Sequence, residues 1–217
     1  SDPSLYASMQ MTKDEIYPTF GGRAYNQAAI RMTHADGNTS TELLYDSHTQ
    51  EMLTPDVQYT RIVLRDPLYP VEVSLCYKAY QQSDMLEQWM EISHSEKKAI
   101  RLEAFASSYL SLAAQQYYLT EFHGDWADEM HVVETPLSYG IKTIDSKIGA
   151  RATQYAHACY LLSLDKEAQE NSGTVVGGQL AWGGSWRMDF EVDHHNRLHL
   201  LAGINDYASD YTLAPKT

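Results

Sequence analysis

From Gln58 to Leu112, apolar and polar side chains alternate with a period of two, and this alternation constrains the fold more than any other feature of the chain. The segments QYTRIVLRD, VEVSLCYKAY, MLEQWMEISHS and AIRLEAFASSYLSL read as strands. Pro67–Pro70 turns the chain after the first of them, and the polar residues around Glu96–Lys98 turn it before the last. Successive side chains of a strand point to opposite faces, so each segment offers one apolar face to a core and one polar face to water. Helical periodicity is nearly absent. MLEQWMEI could be drawn as a helix, but its shortness and flanking turns favour a strand.

The pattern extends both ways. Residues 1–16 are polar and expected to be irregular, and the stretch from Tyr17 to Tyr25 (YPTFGGRAY) is a Pro/Gly-punctuated aromatic loop. Residues 28–35 alternate weakly, Asp36-Gly37-Asn38 predicts a hairpin turn, and residues 40–49 resume the strand. The segment Gln50–Asp56, with Pro55, reads as a loop. After the meander, Phe122 to His157 holds two short strands, two turn signals and a His-Gly-x-Trp tetrad. Residues 157–166 form an apolar strand, Gly173 lies in a polar turn, and residues 175–204 supply three strands turned at Gly183-Gly184 and at His194–Arg197. About a dozen strands, with no linker or repeat, predict one all-β domain over residues 1–217, built from two large antiparallel sheets packed face to face.

Charge narrows the partners. A net charge of −13 with no Lys/Arg cluster argues against nucleic acid and anionic membranes, because both would repel the chain. No apolar run approaches the ~18 residues of a membrane span. The opening SDPSLYASMQ has neither a basic nor an apolar targeting region, which leaves the compartment, cytoplasmic or secreted, open. Cys76 and Cys159 lie in apolar strands and read as buried free thiols, with a disulfide as the alternative. Sixteen tyrosines and four tryptophans suit β-structure and carbohydrate surfaces alike.

Few residues have the spacing of known chemistry. His195 and His199 stand four apart like a helical zinc pair, but they flank a turn between strands with no Glu between them, and no metal is expected. Asp125, Asp128 and Glu129 form an acidic group, yet nothing singles out the pair that a glycosidase needs. Gly-Gly-Ser-Trp at 183–186 is not a nucleophile elbow, and the chain has no P-loop or dinucleotide glycine pattern, so no cofactor is expected. A mutarotase-like epimerase could be drawn with His123, His157 and Glu129, without a geometry to support it. Trp126, after a glycine and beside acids, is either one more core aromatic or a platform for stacking a sugar ring.

Several stretches taken together resemble the N-terminal domain of family 36 α-galactosidases. Glu15 to Gly21 is similar to the family's Glu-Tyr-Pro-x-Phe/Tyr-Gly signature with one extra residue after the acid. Ala35-Asp36-Gly37 resembles its Ala-Asp-Gly turn, and Leu64-Arg65-Asp66 its paired strand. Phe122 to Ser146 resembles its run of His-Gly-x-Trp, Thr-Pro-Leu and Ser-x-x-Gly, and Glu170 to Ile204 resembles its last segment.

The resemblance implies a β-supersandwich of the galactose-mutarotase-like kind, followed in the family by a (β/α)8 barrel that carries the catalytic aspartates. No segment here is that barrel, so no catalytic residue is expected in this chain. A fragment of a larger hydrolase, lacking the family's first strands and its barrel, is the expectation; the alternative is a stand-alone carbohydrate-binding or structural β-sandwich. The resemblance further implies that Trp126 touches a galactoside oligosaccharide at the barrel rim, with Asp125 beside it, and that the full-length protein is a homo-oligomer. In family tetramers the loop after Pro18 reaches a neighbouring subunit's active site with an Asp-Tyr/Phe-Arg triplet, so the residues here at those positions are expected to bind substrate. Here those positions read Ala24, Tyr25 and Asn26, so Tyr25 is retained and Arg23 is the nearest replacement for the lost charge.

Overall fold

Strand is the dominant conformation, as the alternation requires. The computed structural model describes residues 15–152 and 154–216, so most of the irregular segment expected over residues 1–16 lies outside the described residues. Among the described residues fourteen strands are present: β1 (Ile30–Thr33), β2 (Leu44–Met52), β3 (Val57–Arg65), β4 (Val71–Tyr80), β5 (Met85–His94), β6 (Ile100–Ala113), β7 (Tyr117–Asp125), β8 (Asp128–Leu137), β9 (Gly140–Ser146), β10 (Cys159–Gln169), β11 (Ser172–Gln179), β12 (Trp186–Val192), β13 (Arg197–Ile204) and β14 (Tyr211–Leu213). They fall into one six-stranded and two four-stranded sheets whose strands pair antiparallel. The all-β expectation holds, and MLEQWMEISH is the strand β5.

The chain divides into two compact units, residues 15–108 with 210–216, and residues 109–209. In the first unit β2-β3-β4-β5 is a meander, with β4 paired to β5 from Val71↔His94 to Tyr80↔Met85. Leu64, Val73 and Leu75 lie in core positions on one face. Tyr17 is the pin of this unit: its hydroxyl donates to the carbonyls of Ala106 (2.7 Å) and Ala29 (3.2 Å). Burial of the phenol pushes its pKa well above the ordinary range. The signature Tyr is therefore spent on packing.

Two local expectations are corrected in this unit. The turn at Asp36–Asn38 forms, with Gly37 at φ +91°, but it does not join two strands of one ladder. β1 pairs instead with β6 (Ile30↔Phe105, Thr33↔Arg101), while β2 pairs with β3. Turn chemistry is local, whereas the partner of a strand is chosen by where its apolar side chains are covered. The second correction is that β2 runs on to Met52, so only residues 53–56 remain as the loop around Pro55. All nine residues of β2 are exposed, as suits an edge strand and unlike the one-face burial the alternation predicts.

The second unit holds β11-β10-β7-β8 as one sheet, and β12 between β9 and β13 in another. Its core gathers Tyr117, Leu119, Leu162, Trp186, Met188, Phe190, Leu198 and Leu200, each under 2% exposed. Trp186 donates its indole N–H to the Ala152 carbonyl (3.2 Å), so this Trp is a core residue. Gly178 lies against the Tyr160 ring, where a Cβ would sit 2.5 Å from ring atoms, so only glycine fits. Cys76 is buried and Cys159 half-buried, and both are free thiols. No described helix is long and apolar enough to cross a membrane.

Candidate functional site

The His-Gly-x-Trp stretch builds a two-stranded ribbon that projects from its sheet. β10 pairs with β7 only from Tyr117 to Thr120, so β7 and β8 run on without that neighbour from Glu121 onward. The segment 155–157 braces the ribbon instead. Gly124 donates its N–H to the Tyr155 carbonyl and His157 donates to the Phe122 carbonyl, each at 3.0 Å, around an antiparallel bridge between His123 and Ala156.

Gly124 explains why the tetrad contains a glycine. Between the pairs His123↔His131 and Asp125↔Asp128 the register shifts, with Glu129 and Met130 opposite Gly124 alone. A Cβ at Gly124 would lie 2.8 Å from the Glu129 Cα. Met130 takes a left-handed φ of +65° to form this bulge. At the tip, Trp126 and Ala127 make the two-residue turn, with Ala127 at φ +59°.

The acids here serve the turn. Asp125 accepts the Trp126 backbone N–H at 2.7 Å, Glu129 accepts that of Ala127 at 3.2 Å, and Asp128 pairs with the His131 Nε2 at 2.7 Å. With those acids occupied, Trp126 is held at the tip with 85% of its surface exposed. That excludes the core-aromatic reading. An exposed indole on a backbone fixed by hydrogen bonds is an available apolar plane with a donor N–H at its edge.

The other expected contact residues lie in the first unit. Glu15 accepts the Arg23 backbone N–H (2.7 Å), and Thr19 donates to the Thr41 carbonyl (2.6 Å), which closes the loop after Pro18. Arg23 is exposed and its guanidinium pairs with Glu42 at 3.1 Å. Tyr25 is 83% exposed. The structure thus brings Asp125 and Trp126 together at one tip, and Arg23 and Tyr25 together in one loop.

Sequence reasoning missed the arrangement that most looks like catalysis. In the first unit the Thr41 hydroxyl meets the His34 Nε2 at 3.0 Å, and the His34 Nδ1 meets the Glu96 carboxylate at 2.7 Å. That is the connectivity of a nucleophile–histidine–carboxylate triad. Access decides against chemistry: His34 and Thr41 are 2% exposed, and Tyr69 stacks on the imidazole at 3.6 Å. The Thr41 backbone N–H is already given to the Phe20 carbonyl, so it cannot serve an oxyanion. The other Glu96 oxygen accepts the Ala35 N–H at 2.9 Å, tying the cluster to the Ala-Asp-Gly turn. The cluster is a clasp. His34 and Glu96 lie 62 positions apart, and no local signal connects them.

The histidines at 194–199 also resolve into structure. His194–Asn196 form the turn between β12 and β13, with Asn196 at φ +59°. Asp193 accepts the backbone N–H groups of His195 (2.8 Å) and Arg197 (2.9 Å) and the His199 Nε2–H (3.0 Å), while the His199 Nδ1 meets the Tyr109 hydroxyl at 2.8 Å. His199 is buried among these partners, so it does not converge with His195. Burial opposes the charge of Asp193, but the bond from His199 and the two backbone N–H groups hold its carboxyl below the ordinary value. Among the described residues no group of three or more His, Cys, Asp or Glu is arranged to hold a metal ion.

An antiparallel multi-sheet domain with an aromatic-tipped ribbon is the class that fold and site define. The chain belongs to the family described as the glycosyl hydrolase family 36 N-terminal domain, which matches residues 2–214. It is 26% identical over 93% of its length to alpha-galactosidase 1 of Pediococcus pentosaceus, covering 29% of that protein. It is 24% identical over 99% of its length to the alpha-galactosidase AgaA of Geobacillus stearothermophilus, covering 31% of it. The chain thus spans about a third or less of the length of these relatives. The crystal structure of AgaA superposes with a TM-score of 0.86 over 93% of this chain and 30% of that one; at 24% identity, this speaks for the fold. Solved AgaA variants include complexes with stachyose and with raffinose.

Proposed function

We propose that this chain works as the non-catalytic N-terminal domain of a glycoside hydrolase acting on terminal α-galactosides, and that the β7–β8 ribbon forms part of the rim of its substrate site. Trp126 covers the apolar C–H face of the sugar, and Asp125 fixes the backbone that carries it. The nucleophile and the acid come from a catalytic domain outside this chain. The observation that carries the reading is the 85% exposure of Trp126 on a tip whose backbone is hydrogen-bonded, within a chain matched almost throughout by the family. An exposed aromatic plane fixed in place is suited to a pyranose ring, because it needs little ordering when the sugar arrives.

The same reading takes residues 1–217 as one N-terminal domain comprising both units, supported by a family match that runs through both. It also takes Tyr25, 83% exposed, with Arg23 beside it, as substrate-binding residues that reach the active site of a neighbouring subunit in a homo-oligomer. The test is the full-length gene product that contains this chain. Trp126→Ala is expected to raise KM for p-nitrophenyl α-galactoside about tenfold, the loss of roughly 1.4 kcal/mol of binding, with kcat little changed. The purified 217-residue chain is expected to show no turnover. An unchanged KM, or hydrolysis by the isolated chain, overturns the proposal.

A further inference from the structure

At the root of the ribbon, where β7 leaves the cover of β10, Glu121 is 3% exposed and points its carboxylate at the ammonium of Lys142 on β9, 2.7 Å away. Lys142 is 37% exposed at the side chain, and the His123 Nε2 lies 3.5 Å from the same carboxylate oxygen, Oε1. The second oxygen, Oε2, is buried without a hydrogen-bond partner. A buried carboxylate with one satisfied oxygen is a costly arrangement, and such a group in a folded protein calls for an explanation beyond packing.

We infer that the Glu121–Lys142 pair is a positioning element for Trp126; the inference rests on the proposed role of Trp126 at the substrate rim. The geometry supports a lever. Trp126 lies five residues on from Glu121, or roughly 16 Å at ~3.3 Å per residue. A rotation of the root by about 5° therefore moves the tip by roughly 1 Å, a displacement large enough to cost a site much of its efficiency. A two-stranded ribbon alone is marginal in water and does not fix its own angle. The backbone ties to residues 155–157 brace one strand of it, β7. Lys142 adds a tie that crosses to another sheet, because β9 pairs with β12 and not with β7 or β10.

The pair is a positioning element and not a contact. The unpartnered Oε2 is closed to solvent, so no ligand reaches it without rearrangement. Its sequence neighbours on the strand, His123 and Asp125, are directed to Glu121 and to the Trp126 backbone respectively.

Two variants of the full-length protein test this. Lys142→Met strands a buried carboxylate and is expected to lower stability. The double variant Glu121→Leu/Lys142→Met removes the tie without a stranded charge, and is expected to keep or raise Tm while raising KM for p-nitrophenyl α-galactoside about fivefold with kcat within twofold. Because the pair acts through Trp126, adding Trp126→Ala to that double variant is expected to give the KM of Trp126→Ala alone. A fluorotryptophan placed at position 126 alone is expected to show a shifted or broadened 19F resonance in the double variant. Lys142→Arg is expected to restore the wild-type KM and resonance.

An unchanged 19F resonance in the double variant overturns the inference, as does a KM effect that multiplies with that of Trp126→Ala. If Trp126→Ala leaves KM unchanged while the resonance still moves, the positioning stands and the substrate-rim reading falls.

Discussion

The clasp at Thr41–His34–Glu96 and the ribbon at Trp126 are opposites. The clasp has the bonding pattern of a catalytic triad and every member is buried, with Tyr69 stacked on the imidazole. The ribbon has no catalytic pattern, the acids at its tip are engaged by its own turn and by His131, and it carries a Trp that is 85% exposed. Connectivity without access stabilises a fold; an exposed ring on a fixed backbone is suited to meeting a ligand. For the clasp, mutation should therefore read out in stability, and for the ribbon in binding.

The largest effect is expected in the clasp. Glu96→Ala leaves His34 and the Ala35 N–H without their buried acceptor, and should cost about 3 kcal/mol or more in denaturant unfolding. A Glu96→Ala protein as stable as wild type would break the comparison at once. Next comes Gly124→Val, whose Cβ meets the Glu129 Cα at 2.8 Å. It should cost about 1–3 kcal/mol and disturb the ribbon selectively, as read by hydrogen exchange at residues 122–132.

Asp193 gives a pH effect. Its folded carboxyl titrates below the ordinary value of 3.8, so its bonds add stability that is fully present above that value and is lost as pH falls through the folded one. Asp193→Asn should therefore lower stability at neutral pH and make the acid limb shallower below about pH 4. An acid limb identical to wild type contradicts this. The smallest effect belongs to the tip: Ala127→Gly relieves a left-handed φ of +59° and should change Tm by little, within about 1 kcal/mol of stability. Trp126→Ala should likewise leave stability within about 0.5 kcal/mol. A large stability loss there would mean that the indole is doing packing work.

Much of the fold could be read from the chain because strand periodicity and turn residues are local signals. The meander of β3–β5 follows from alternation and from Pro67–Pro70, and the turn at His194–Asn196 follows from its polar residues; β6, which alternation alone would continue into that meander, joins β1 and β14 in another sheet instead. Pairing across distance was not legible. β1 joins β6, about seventy positions away (Thr33 lies opposite Arg101), because burial chooses the partner and the Asp36–Asn38 turn does not. The site divides in the same way. His-Gly-x-Trp marks the ribbon, and the glycine has a physical reason in the bulge at Gly124. Nothing near Glu121 announces Lys142, 21 positions on and in another sheet, and nothing near His34 announces Glu96.

The most direct test of the central claim is a crystal structure of the full-length protein, with its catalytic nucleophile disabled, bound to raffinose. The account predicts the Trp126 ring in van der Waals contact, within about 4 Å, with the C–H face of the galactosyl ring, the backbone of residues 122–132 being otherwise as it is here. A galactosyl ring bound with Trp126 still in solvent, away from the sugar, would contradict it.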